Sequence, residues 1–145
     1  MLVLLAIPLG LAFFLRTFGK NRFDLPFLLQ TTSEWPSGCP MPDRFPFVVP
    51  DTLRDRTNDG NPVIFLFAAP PAEADLRIPV EIDTGRIRLV RAPGNPDWPC
   101  MLGSAPDISA VLIDGEGRVR GQYTILDRTE MDRLIMETKI ILNDY

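Results

Sequence analysis

The feature that most restricts the fold of this chain is a change of period near its C-terminus, within "ISAVLIDGEGRVRGQYTILDRTEMDRLIMETKIIL", Ile108 to Leu142. "ISAVLID" reads as a strand. The Asp-Gly step and second glycine of "DGEG" supply positive φ at low cost, and "RVRGQYTI" then alternates, so the two runs predict an antiparallel hairpin. Asp127 with Glu130 three residues later has the form of a capping box, with Asp in place of Ser or Thr. Beyond it Met131, Leu134, Ile135, Thr138, Ile141 and Leu142 share one helical face, while Asp132, Arg133, Glu137 and Lys139 lie mostly elsewhere. A helix with one apolar stripe must bury it, and the sheet begun by the hairpin is the surface at hand.

Two further runs extend that sheet. "PVIFLFAA", Pro62 to Ala69, is continuously apolar between "NDGN" and "PP", the pattern of a central strand covered on both faces. "RIRLVRA", 86 to 92, mixes Ile87, Leu89 and Ala92 with arginines and reads as a strand nearer an edge. "APGNPDWPCMLGSAP" is loop. Between Phe23 and Asn61 lie Pro26, Pro36, Pro40, Pro42, Pro46 and Pro50, with no sustained period. Proline fixes φ and removes a donor, so this segment reads as an extended connector with strand-like pieces such as "FPFVV", 45 to 49. Phe45, Phe47 and Val49 alternate, which equips it to fold back along the domain. With 145 residues and 46% apolar content, one domain with its own core is expected, of α/β class.

The N-terminus, "MLVLLAIPLGLAFFLRTFGK", is apolar through Leu15 and extends as a candidate span to Gly19. No basic n-region precedes it and no small-x-small cleavage site follows, so it reads as an uncleaved anchor rather than a signal peptide. Pro8 and Gly10 are tolerated in a transmembrane helix, where neighbours satisfy the freed carbonyls. Arg16, Lys20 and Arg22 follow the span, and the positive-inside rule alone would keep the remainder in the cytoplasm.

Charge and composition exclude several functions. The net charge is −4, and arginines are scattered among acids, so neither a phosphate-binding face nor a nucleic-acid partner is expected. Histidine is absent. That removes imidazole as base, shuttle or ligand, and with it Ser-His-Asp and Cys-His catalysis.

The hairpin and helix carry a family likeness. Leu112, Asp114, Gly117, Arg118, Arg120, Gly121 and Tyr123, then Met131, Asp132, Arg133, Leu134, Ile135, Lys139, Ile140 and Leu142, follow the order and spacing of the Sco/SenC family. "FLRTFGKNRFDLP", Phe14 to Pro26, is similar to the membrane-proximal segment of such proteins from the Bacteroidetes. The family comprises thioredoxin-like, membrane-anchored proteins that assist copper delivery to cytochrome oxidase. The resemblance implies a thioredoxin-like sheet, reduced in size because the interval between Ala69 and Ile108 is shorter than the family's usual insert. It also implies an inner-membrane protein with a single span and a periplasmic domain, against the basic residues after the span. The family's copper site needs two thiols three residues apart after the first central strand and a histidine before the hairpin. Here "PPAEAD" follows the strand and Pro106 falls near the histidine position. That copper site is excluded, and no cofactor is expected.

Cys39 in "SGCPM" and Cys100 in "PCML" form no metal-spaced pair. Three readings stay open: two unrelated small apolar side chains, a disulfide tying the connector to the loop before the hairpin, and, with neighbouring Met41 and Met101, soft ligands for Cu(I). Asp75, Glu81, Asp83, Asp107 and Asp114 have no spacing diagnostic of an acid/base pair, and Asp114 is best explained as a turn residue. Trp35 and Trp98 lie in proline-rich loops, to be read as packed on the domain or as anchors for a partner.

The expected organisation is a transmembrane anchor at 1–19, a proline-rich connector at 20–61 and a thioredoxin-like domain at 62–145. The expected function is a non-catalytic interaction or assembly factor near the respiratory chain, with the membrane and a respiratory-complex protein as partners. The rivals are a thiol-redox protein using Cys39 and Cys100 as a reversible pair, and a structural membrane protein.

Overall fold

The computed structural model describes residues 7, 10–14, 25–54, 60–67, 72–91 and 95–143. A single 3-10 turn at Thr32–Glu34 is followed by α1 (Asp51–Arg54), β1 (Val63–Leu66), α2 (Ala72–Glu81) and β2 (Arg88–Arg91). Then come α3 (Trp98–Met101), β3 (Ala110–Ile113), β4 (Val119–Tyr123) and α4 (Arg128–Leu142). The strands form one mixed sheet in the order β2-β1-β3-β4. β1 runs parallel to β2 and antiparallel to β3, and β4 returns antiparallel to β3.

Both central strands are buried on every residue, because both faces of the sheet are covered. On one face Ile64, Leu66, Ala110, Leu112 and Tyr123 meet Ile78 of α2, Ile82 just after it, and Met131, Leu134, Ile135 and Leu142 of α4. On the other, Val63, Phe65, Val111, Ile113 and Val119 meet Leu29, Trp35, Phe47, Val49, Leu53 and Leu102. The strand period of two sends alternate residues to the two cores. That is why β1 and β3 read as unbroken apolar runs.

The second core departs from the expectation of a connector. The proline-rich segment is a structural layer, with Trp35, Phe47, Val49 and Leu53 all buried, each worth about 1.5–3 kcal/mol of removal from water. No strand forms at 45–49, where Phe45–Pro46 is a cis peptide. Individual backbone bonds hold the layer instead: Leu28 N–H to Val119 O at 2.7 Å, Phe47 N–H to Leu29 O at 2.9 Å and Val49 N–H to Gly117 O at 2.9 Å. The folded unit therefore takes in residues well before Pro62.

α2 also exceeds what the pattern announces. Pro79 sits inside it, and proline removes a hydrogen bond from a helix interior. The helix ends two residues later, and Ile78, fully buried, fastens that last turn to the sheet. In α4 the cap is one-sided rather than a box. Asp127 accepts the Thr129 N–H at 2.8 Å, while Glu130 turns outward to Arg133 at 2.8 Å. Asn143 closes the helix in the left-handed region, φ 57°.

A bulge lets β4 serve both cores. Leu112 pairs with Gly121 but Ile113 pairs with Val119, so Arg120 has no opposite number. Tyr123 and Gly121 thus face the helices while Val119 faces the proline-rich layer, which strict alternation would forbid.

Residues 10–14 are helical. Among the described residues, no helix is long and apolar enough to cross a membrane. Most of the anchor expected over 1–19 lies outside the described residues.

Candidate functional site

α3 and the turn that follows it shape the region richest in reactive atoms. Pro99 falls in the first turn of α3, where its missing N–H costs nothing. The chain leaves through Gly103 at φ +64°, where a Cβ would stand 2.4 Å from Leu29 Cδ1 and 2.6 Å from Trp35 Cζ3. Only glycine lets Trp35 and Leu29 close against this turn. Trp35 stacks edge-on at 4.8 Å from Phe47 and 6.1 Å from Phe45, and Trp98 meets Phe65 at 5.4 Å. Both tryptophans are therefore packed against the domain. The Trp35 indole N–H is buried with no hydrogen-bond acceptor, enclosed by aromatic rings.

Cys39 and Cys100 are joined in a disulfide, with their Cα atoms 5.2 Å apart. It ties the proline-rich layer to α3. In this state the sulfurs offer no thiolate to a soft ion, and the exposed Met41 and Met101 are left without the partners a Cu(I) site would need. Beside the bond lies an apolar cleft of about 530 Å³. Pro40 and Pro42 line it from the Cys39 segment, Pro96, Asp97, Cys100 and Met101 from the α3 segment, Trp35 and Phe47 from the core, and Pro50 from the surface. Cys39 packs against the buried aromatic cluster, whereas Cys100 lines the cleft.

A second cavity of about 450 Å³ opens where β1 ends and β3 begins, lined by Phe67, Pro99, Pro106, Ile108, Ser109 and Leu126 among others. Its hydroxyls are engaged. Ser109 Oγ accepts the Ile125 N–H at 2.7 Å and donates to Tyr123 O at 3.2 Å. Ala68 to Pro71, which follow Phe67 in the sequence, lie outside the described residues and include no thiol.

Asp114, Glu81 and Asp83 have separate structural employment. Asp114, 7% exposed, accepts the Glu116 and Arg118 N–H groups, each at 2.9 Å, through Oδ1. Its Oδ2 takes Arg120 Nε at 2.7 Å and stands 3.4 Å from Arg118 Nε, an ion-pair contact without hydrogen-bond geometry. Arg120, re-aimed by the bulge, also donates to Leu25 O. Arg118 and Arg120 lie 4.9 and 5.8 Å from the Phe27 ring centroid. The hairpin turn thereby grips the start of the proline-rich layer. Glu81 pairs with Arg77 at 2.8 Å, and Arg77 reaches Asp132 at 2.7 Å, joining α2 to α4. Those hydrogen bonds raise the already high pKa of Arg77. Asp83 receives the Gly85 N–H at 3.0 Å, Asp107 is exposed, and Asp75 belongs to α2.

The most perturbed acid is Tyr123. Burial raises its phenol, and its hydrogen bond to Glu137 raises it further. The ring lies back along β4 over Gly121, where a Cβ would stand 1.9 Å from the phenol oxygen. Tyr123 therefore donates into α4 as a neutral group. Among the described residues no three histidine, cysteine, aspartate or glutamate side chains are grouped to hold a metal ion.

No family model, curated protein or solved structure matches this chain.

Proposed function

We propose that the chain is a membrane-anchored, thioredoxin-like protein of the Sco/SenC kind that has no catalytic thiol pair and acts as an assembly or interaction partner near cytochrome oxidase. The observation that carries this reading is the β2-β1-β3-β4 sheet, a βαβ half joined to a ββα half, together with what stands at its reactive end. The place for thiols and histidine holds alanines and prolines, including Pro106. Fold alone does not bring activity with it.

The domain belongs in the periplasm on this reading, since a disulfide persists in an oxidising compartment. Fusions at the C-terminus test the side: phosphatase activity without cytoplasmic fluorescence is expected, and the reverse would refute it. Deletion of the gene tests the role. Assembled, spectroscopically competent oxidase should fall, and unchanged oxidase content and oxygen uptake would remove the respiratory part.

A second reading is favoured by one observation. Cys39 and Cys100 lie within disulfide reach, 5.2 Å between Cα atoms, and both are half-buried rather than sealed. They suit a reversible thiol-redox pair, tested by equilibrating the protein in glutathione buffers. Full oxidation at every ratio short of unfolding would exclude it.

A further inference from the structure

The surroundings of the disulfide are unsymmetrical. Cys39 packs against the aromatic cluster of the second core, and Cys100 is among the residues lining a cleft built from prolines, Met101 and the rings of Trp35 and Phe47. Among the described residues, Asp97 is the one ionisable side chain in the cleft lining. An attacking thiolate must reach a sulfur, and access selects which one. We propose that the bond exchanges with a protein dithiol whose reactive cysteine is flanked by apolar residues, and that this thiolate attacks Cys100. The inference rests on the reading of the pair as reversible.

The partner's first thiolate forms a bond to Cys100 Sγ, the Cys39–Cys100 bond breaks, and its electron pair leaves on Cys39. The partner's second thiolate then displaces Cys100, closing a disulfide in the partner. Two electrons pass to this chain, and the two protons lost by the partner's thiols end on Cys39 and Cys100. The cleft supplies the apolar contact that holds the partner's flanking residues beside Cys100. Its carboxylate, in a chain of net charge −4, disfavours an acidic approach. Reduction also unties the two sides of the cleft, Pro40 and Pro42 from Pro96 and Met101, so the oxidised form is the one shaped to receive the partner.

The test uses the oxidised full chain in detergent and two synthetic heptapeptides, one with its cysteine between leucine and proline, the other with aspartates in those places. Each rate is normalised to that peptide's reaction with an aromatic disulfide. After quenching with N-ethylmaleimide, mass spectrometry should find the peptide on Cys100 and maleimide on Cys39. The apolar peptide should react about tenfold faster, the equivalent of one well-buried apolar contact. Met101→Gln, which adds polarity without charge, should shrink that advantage, read as the ratio of the two peptide rates. Peptide found mainly on Cys39, or equal rates for the two peptides, would overturn the inference and leave a reversible pair standing. No exchange with any thiol in the folded chain would overturn both.

Discussion

Removing the disulfide should cost a large and calculable share of stability. Cys39 and Cys100 are 61 residues apart, and closing a loop of that length removes about 14 cal/mol/K from the unfolded chain, about 4 kcal/mol at 25 °C. The folded state should lose little else, because Trp35, Phe47 and Val49 remain buried and the backbone bonds to Val119 and Gly117 do not depend on sulfur. Against a total of roughly 5–15 kcal/mol for a folded domain, the loss is severe but survivable. Urea unfolding of the detergent-solubilised full chain, followed by the fluorescence of Trp35 and Trp98, compares wild type with Cys39→Ala, Cys100→Ala. The midpoint should fall and the slope rise, since the unfolded chain expands once the cross-link is gone. Wild type with reductant should match the variant. A loss under about 1 kcal/mol with an unchanged slope would refute the entropic account.

Three further outcomes follow from particular side chains. Gly103→Ala should destabilise by about 2–5 kcal/mol, combining left-handed strain with overpacking against Leu29 and Trp35; urea unfolding within about 0.5 kcal/mol of wild type would contradict the packing described. Asp114→Ala should cost about 3–5 kcal/mol, because it leaves Arg120 partly buried without its carboxylate and strips the turn of two acceptors; Asp114→Asn, which keeps an acceptor, should cost less. Tyr123 holds its proton to higher pH when folded than its ordinary 10.0, so the folded state binds more protons above that point. Stability from this group is then complete below pH 10 and falls above it by up to about 1.4 kcal/mol per pH unit. Urea midpoints from pH 8 to 11.5 should decline more steeply for wild type than for Tyr123→Phe, and parallel curves would show that the phenol is not shielded.

Legibility in the sequence followed the regularity of the backbone. β1, the β3–β4 hairpin and α4 bury faces whose period is written in consecutive residues, so Ile64, Leu112 and Leu134 announce themselves. The proline-rich layer has no period; Trp35, Phe47 and Leu53 reach the core from isolated positions, and the N–H groups of Leu28, Phe47 and Val49 tie the layer to the distant carbonyls of Val119, Leu29 and Gly117. α2 was hidden by Pro79, a residue that argues against helix wherever tertiary packing does not override it. The bulge at Arg120 could not be read from alternation, because its cause is the demand for Val119 on one face and Tyr123 on the other. As for the candidate site, both cysteines were visible, but their pairing depends on how far the chain travels between them. The cleft beside them is assembled from separate segments, and only Pro96 with Asp97 and Cys100 with Met101 among its lining are neighbours in the chain.

The covalent connectivity has a consequence for the order in which the molecule is put together. Residues 39 to 100 form a closed ring that contains β1, α2 and β2, while β3, β4 and α4 lie on the tail outside it. The parallel pair β1–β2 is thus internal to the ring, and the hairpin is internal to the tail. β1–β3 pairing is the seam between them. Ile64 and Leu66 on one half and Ala110 and Leu112 on the other come together in a single core only when that seam forms under α4.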